Sequence, residues 1–284
     1  MKLIRQDFNI VNQKGFSIKD IKKHIEYCAR ISYKSQDRMT DTSYEKFVNM
    51  LEKRDHARPL EFGTVHLQMY ISDFHKLRDT LCINNMWNDQ WIKYHYVGKL
   101  TYVTTNYRYY LDIAKCLPNV KEYFTEEDNE YYPKRYTVHF ITSRGIMDEF
   151  RTHVGLSHLA ESSRYCSYDK NRFGNELTFI IPNWVNTNCS NKEQEGLSVA
   201  SIEWSTAMLD AEASYMNLIK MGCTAQEARE VLPLSVKSEL ISCGFEDAWE
   251  NFFYRRCAKD AHPMAREIAI PLQEKFKELN YVNQ

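Results

Sequence analysis

Along the chain, apolar positions recur at helical spacing in some stretches and alternate with polar ones in others. Helical spacing predicts helices over about Ile18–Ile31 and Ser43–Lys53, and a long amphipathic helix over Glu203–Met221 that Gly222 stops. It predicts three more over Ala225–Val231, Phe245–Arg256 and Pro263–Leu279. Alternation and β-forming residues predict strands at Gly63–Ser72, at Arg135–Ser143 and at Leu177–Ile181, the last closed by Pro182. After Gly145 breaks the second strand, Ile146–Ser157 reads as a helix. Residues 73–135 are the least legible, with Tyr/Asn-rich pieces and an acidic stretch, Glu126–Glu130, that reads as a solvated turn. The expected class is α+β: one helix-rich domain, 1–284, around a small and mainly antiparallel sheet, with a less legible insertion at about 73–135.

Composition narrows the function classes without choosing one. Hydrophobic residues make up 43% and charged residues 26%, as in a soluble globular protein. The formal net charge is −1, so no overall basic field argues for a nucleic-acid partner, despite tyrosines interleaved with Lys and Arg near residues 93–110. Eight cysteines contain no C-x-x-C pair, and a chain of 284 residues has no need of a disulfide frame, so reduced thiols are expected. The start, MKLIRQDFNIV, lacks an apolar signal core, and no run approaches the ~20 apolar residues that span a bilayer. A cytoplasmic protein with no membrane partner is therefore expected. No His/Cys cluster has metal-ligand spacing, and there is no G-x-G-x-x-G or P-loop.

The chemistry gathers in Phe150–Tyr165. His153 and Ser157 lie four apart and would share a face of the expected helix, with Ser162, Ser163 and Arg164 following its end. Hydroxyls, exposed backbone N–H groups and a guanidinium suit a phosphate or a pyrimidine edge. The same pattern also describes an ordinary polar helix end with an arginine in solvent.

This segment resembles the signature of the flavin-dependent thymidylate synthases (ThyX), R-H-R-x-x-S-x-N-x-x-S-x-R-Y, at His153, Ser157, Ser162, Arg164 and Tyr165. The run Glu161-Ser162-Ser163-Arg164-Tyr165-Cys166 is similar to the E-S-x-R-Y-C block of the longer members. Other stretches follow in the family's order. Ala29–Tyr33 resembles its A-R-x-S element, and His56 to Phe62, with Pro59 and Glu61, its H-x-x-P-x-E-H element. Phe173–Pro182 resembles the approach to the F-x-x-P strand end, Glu227–Leu234 the A-R-x-x-L-P element, and Asn251–Arg256 with Ala261-His262-Pro263 the closing block. Within 73–135, Asn106 and Arg108 resemble an N-x-R piece. The departures are Thr152 and Val154, which stand where the triplet has arginines that help to hold the flavin, and Phe62, where a histidine is common.

The resemblance implies reductive methylation of dUMP to dTMP, with FAD as cofactor and NADPH and methylenetetrahydrofolate as co-substrates. It implies a homotetramer with active sites at subunit interfaces. It assigns Arg164, Arg229 and Arg256 to dUMP, with Arg256 against the pyrimidine or its sugar-phosphate and Arg255 left as a surface charge. For Arg229 a helix-packing salt bridge is the other reading. Glu161, Ser162 and Ser163 would line the nucleotide, and Ser162, as a binding and orienting group, and Arg256 would be the catalytic residues. Glu149 would accept from the base N3–H or be a solvated helix glutamate. His56, Glu61, His153, Ser157 and Asn251 fall on the flavin side. A related hydroxymethylase, a dCMP-modifying enzyme and a non-catalytic nucleotide-binding homologue are the alternatives.

Overall fold

Residues 1–162, 176–185 and 198–282 are described in a computed structural model, and the account is confined to them. Helix α1 (Ile18–Tyr33) follows directly from its sequence. The Ser17 side chain caps it by accepting from the Asp20 N–H, and Ile21, Ile25, Cys28, Ala29 and Ile31 give it an apolar stripe. It ends where Lys34 adopts a left-handed conformation, φ 50°. Helix α2 (Ser43–Lys53) falls where the spacing predicts it.

Among the described residues three sheets are built, where one small sheet was expected. Strands β2 (Asp7–Ile10), β7 (Arg135–Ser143), β10 (Lys237–Phe245) and β8 (Ser157–Ala160) form an antiparallel sheet in the order β2-β7-β10-β8. Strands β4 (Ile92–Val97), β5 (Leu100–Asn106), β3 (Thr64–Tyr70) and β6 (Phe124–Thr125) form a second, also antiparallel. Strands β1 (Lys2–Ile4) and β9 (Thr178–Ile180) pair in parallel.

The first sheet is covered on both faces. On one side Tyr136, Val138, Phe140 and Leu240 pack against α5 (Arg144–Arg151), α8 (Glu246–Arg256) and α9 (Pro263–Glu278), through Phe150, Trp249, Phe252 and Phe276. On the other, Leu159, Ile241 and Cys243 meet Cys28 and Ile31 of α1. Each of these buried large side chains contributes about 1.5–3 kcal/mol of transfer free energy. Ile21 and Ile25 of α1 enter a second core with the β3–β5 sheet, α2, α3 (Ile71–Ile83) and α4 (Tyr107–Cys116), so α1 joins the two. A smaller cluster seats α6 (Val199–Lys220) and α7 (Ala225–Ala228) over β9.

One expected element is corrected. The helix read over Ile146–Ser157 stops at Arg151, and Thr152 closes it by donating its hydroxyl to the Glu149 carbonyl at 2.8 Å. Gly155, at φ 94°, then turns the chain into β8, which pairs with β10. His153 and Ser157 therefore do not share a helix face: His153 lies in the connection and Ser157 on a strand.

Candidate functional site

Side chains two apart on a strand share a face. On β10 this puts Lys237, Glu239 and Ile241 on the side that α1 covers. His139 of β7 and Leu159 of β8 sit opposite Ile241, and the Glu161 N–H extends the β8 ladder by donating to the Glu239 carbonyl at 2.7 Å. The result is a buried ionic cluster under the end of α1. Lys237 Nζ lies 3.1 Å from Glu161 Oε2 and 2.5 Å from Glu239 Oε1. Lys34 Nζ also contacts Glu239 Oε1 and stands 3.5 Å from Glu161 Oε2. His139 Nε2 completes the set, 2.9 Å from Glu239 Oε2. Burial alone would raise the Glu239 carboxyl, but the His139 hydrogen bond and the Lys237 and Lys34 charges hold it below the usual carboxylate range. Burial would lower Lys237, yet Glu161 and Glu239 overcome it and raise the ammonium above its ordinary value.

Glu161 is 3% exposed, and among the described residues its Oε1 has no hydrogen-bond partner. A buried oxygen left so costs about 1–3 kcal/mol unless a ligand or water satisfies it. Glu161 and Lys237 line a cleft of about 260 Å³ with Arg144, Arg229 and the Leu232–Leu234 turn. Arg229 is placed there by the short α7, whose capping box, Thr224 with Glu227, starts the turn. At the cleft rim Arg144 pairs with Asp148 at 3.2 Å and Arg229 with Glu230 at 3.3 Å. The Ser162 N–H donates to the Ser32 carbonyl at 3.4 Å, which sets Ser162 against the end of α1. Ser163 and Arg164 lie outside the described residues.

A second group joins α5 to α8. Arg256 donates to the Glu149 carbonyl at 2.7 Å and to Glu149 Oε2 at 3.2 Å, so two residues read separately from the sequence are partners. The Nε of Arg256 is buried without a partner among the described residues. His153 sits nearby, edge-on to Phe252 with ring centres 5.4 Å apart, and its Nε2 is likewise buried and unpartnered. Burial, then the charges of Arg256 and Arg255, lower its pKa to about 4, so it is neutral near pH 7. Thr152 and Val154 bring no cation beside it.

The remaining flavin-side residues fall elsewhere. Ser157 donates to Glu61 Oε2 at 2.6 Å, and Arg108 holds Glu61 Oε1 at 2.6 Å. Both carboxylate oxygens of Glu61 are thus engaged within the protein. Asn106 caps α4 by accepting from the Tyr109 N–H at 2.9 Å. His56 is exposed, with Tyr33 Oη 3.0 Å from its Nδ1. Asn251 is exposed on α8 and lines a cleft with Val154, Gly155 and Lys93. Lys34, His139, Lys237 and Glu239 were not found from the sequence; the signal for Lys237 and Glu239, polar residues two apart on β10, needs that strand to be recognised first, and Lys34 on the cap of α1 and His139 on β7 carry no local signal. Among the described residues no group of three or more His, Cys, Asp or Glu side chains is arranged to hold a metal ion. No helix among them is long and apolar enough to cross a membrane.

A mixed helix and sheet protein with a carboxylate buried beneath a guanidinium-rimmed cleft is the class that fold and site define. The sequence profile of the thymidylate synthase complementing protein family matches residues 134–280, just over half of the 284-residue chain. The chain belongs to that family. The matched stretch runs from β7 to α9 and contains Arg144, Glu161, Arg229 and Lys237, but not His56, Glu61 or Lys34. A flavin-dependent thymidylate synthase of Pyrococcus furiosus is 26% identical over 165 residues, covering 58% of this chain and 63% of that relative. The chain thus spans a little under two thirds of that relative's length. Among solved structures, the UMP/dUMP methylase PolB from Streptomyces cacaoi bound with 5-Br UMP is similar at 13% identity and a TM-score of 0.46, over 99% of this chain and 92% of that one. Its structure with 5-Br dUMP gives 14% identity and a TM-score of 0.43, over 99% and 93%.

Proposed function

We propose that this chain catalyses the reductive methylation of dUMP to dTMP, with methylenetetrahydrofolate as carbon donor and NADPH as the ultimate reductant through FAD. The observation that carries this reading is the cleft floored by Glu161 and rimmed by Arg144 and Arg229, inside the stretch that the family profile matches. An anionic acceptor at the bottom and guanidiniums at the mouth are the groups that a pyrimidine nucleotide's donors and phosphate require.

Uracil C5 is a poor nucleophile, so the site must stabilise negative charge on the pyrimidine oxygens. Permanently charged, planar arginines do this well. Arg256 is the catalytic candidate, oriented by Glu149 through two hydrogen bonds, with Arg164 and Arg229 binding the nucleotide. Ser162 and Ser163 orient it. FAD would supply the hydride chemistry. His153 and Asn251 would hold it with His56, and Glu61 and Ser157 would support them from behind. The fit is carried by His153, whose buried, neutral and unpartnered Nε2 suits a polar ring edge. With Thr152 and Val154 in place of arginines, the flavin is held less tightly than by an R-H-R triplet. The groups fall in separate places on one chain, and a homotetramer would bring them together.

The test is the visible spectrum of the purified protein, followed by dUMP-dependent NADPH oxidation and the mass of the product. Flavin absorbance and a product of dTMP mass support the reading. A product one oxygen heavier would replace methylation by hydroxymethylation. A colourless protein that binds dUMP without turnover would make it a nucleotide-binding homologue.

A further inference from the structure

We propose that Lys237, together with Lys34, is a positioning pair for the nucleotide site. The two ammoniums hold one oxygen of Glu161, so that its other oxygen is presented as a fixed, charged acceptor to an N–H or O–H donor of the bound pyrimidine nucleotide. The inference rests on the functional reading above and goes beyond it, because neither lysine belongs to any motif of the sequence.

The asymmetry of Glu161 is the central observation. Lys237 and Lys34 both approach Oε2, at 3.1 and 3.5 Å, while Oε1 is buried with no partner among the described residues. Glu239 already serves both lysines as counter-ion and has both of its oxygens engaged, whereas Glu161 has only one engaged among the described residues. Glu239 Oε1 meets both lysines while its Oε2 is fixed by His139 at 2.9 Å. The lysines are thereby anchored on Glu239, and neither can follow Glu161 if its side chain rotates. Each also departs from a fixed stem: Lys237 from the start of β10, and Lys34 from the left-handed cap of α1. The ammoniums facing Glu161 therefore come from two elements, the cap of α1 and the start of β10, and Glu161 lines the cleft with Arg144 and Arg229. An ionised carboxylate only accepts, so the ligand must bring the donor. A pyrimidine nucleotide has two candidates, the ring N3–H and the sugar 3′-hydroxyl.

The experiment measures calorimetric affinities of the FAD-loaded, full-length protein for dUMP, for its 3′-deoxy analogue and for its N3-methyl analogue. The parent, Lys237→Met and Lys237→Arg are compared. In the parent, the analogue that lacks the donor binds about tenfold more weakly than dUMP. Lys237→Met binds dUMP itself more weakly, and its penalty for that analogue shrinks below about threefold, because the acceptor is no longer held in place. Lys237→Arg restores both. Which analogue is penalised identifies the donor. A lysine acting only in folding would leave the analogue penalty unchanged, and that result overturns the proposal, as does a parent that penalises neither analogue. A parent that binds no dUMP removes the functional reading and this inference with it, whereas intact dUMP binding with an unchanged penalty removes this inference alone. If Lys237→Met does not fold by circular dichroism, Lys34→Met carries the same comparison.

Discussion

Replacing Glu61 by alanine tests the account of the site's supporting frame. The Glu61 side chain is 2% exposed, receives the Ser157 hydroxyl at 2.6 Å and the Arg108 guanidinium at 2.6 Å, and so ties the turn after α2 to β8 and α4. In Glu61→Ala the buried Ser157 hydroxyl loses its acceptor, at a cost of about 1–3 kcal/mol. Arg108 is about one-third exposed and stacks over Trp91, with 5.1 Å from the guanidinium to the ring centre, so solvent softens the loss of its partner. That loss is worth only about 0.5–1 kcal/mol. The backbone carbonyl of Glu61 keeps its hydrogen bond from Arg135, at 2.8 Å, in any variant. The sum is a loss of about 1.5–4 kcal/mol, or about 3–12 °C in melting temperature at roughly 2–3 °C per kcal/mol for a chain of this size. Glu61→Gln keeps an acceptor for Ser157 and loses only the charge, so it costs about 1 kcal/mol. Urea unfolding with an unchanged slope is the assay, since a shifted midpoint at constant slope reports stability alone. An alanine variant within about 0.5 kcal/mol of the parent would refute the reasoning. So would a glutamine variant as damaged as the alanine one, since it would place the whole effect in the charge.

Other expectations follow from the same geometry. Arg164→Ala should abolish dUMP binding with the circular dichroism spectrum intact, and unchanged affinity would show that the motif has been misassigned. Burial lowers His24 to about 3 and His66, His153 and His158 to about 4, all below the ordinary value of 6.5. Each binds its proton better when unfolded, so stability is complete above pH ~6.5 and falls as the pH drops towards 4. The melting temperature should decline steadily between pH 6.5 and 4.5, and a flat profile across that window would count against neutral, buried histidines. Gly155→Ala forces a side chain into φ 94° and sets its Cβ 3.1 Å from that of Ala248. A loss of about 1–2 kcal/mol is expected by denaturant titration, and a neutral result would show that the turn into β8 can relax.

The turn at Gly155 also marks where local reasoning fails. Ile146–Arg151 is helical by its own pattern, but whether the chain continues as a helix or re-enters as a strand is decided by β10, which offers β8 an edge to pair with. β10 itself is invisible to alternation. From Ser238 to Phe245 every residue is buried, because helices cover both faces of its sheet, so no wet face imposes a period of two. The same holds for β5, buried from Thr101 to Asn106, in the stretch that read as illegible.

The sequence by itself determined elements whose periodicity is local, such as the amphipathic helices α1 and α2 and the alternating strand β7, because such patterns are written within a few residues. It also carried the ordered motifs that resemble one enzyme family, and with them Glu161, Arg229 and Arg256 as candidate site residues. Only the tertiary structure decided that Glu149 orients Arg256, that Glu61 holds Ser157 and Arg108, and that Lys34 and Lys237 from opposite ends of the chain meet at Glu161. Glu149 and Arg256 are 107 residues apart, and Glu61 and Ser157 are 96. Their pairing depends on strand register and helix packing, which bring distant charges into one low-dielectric space, and no local pattern encodes it.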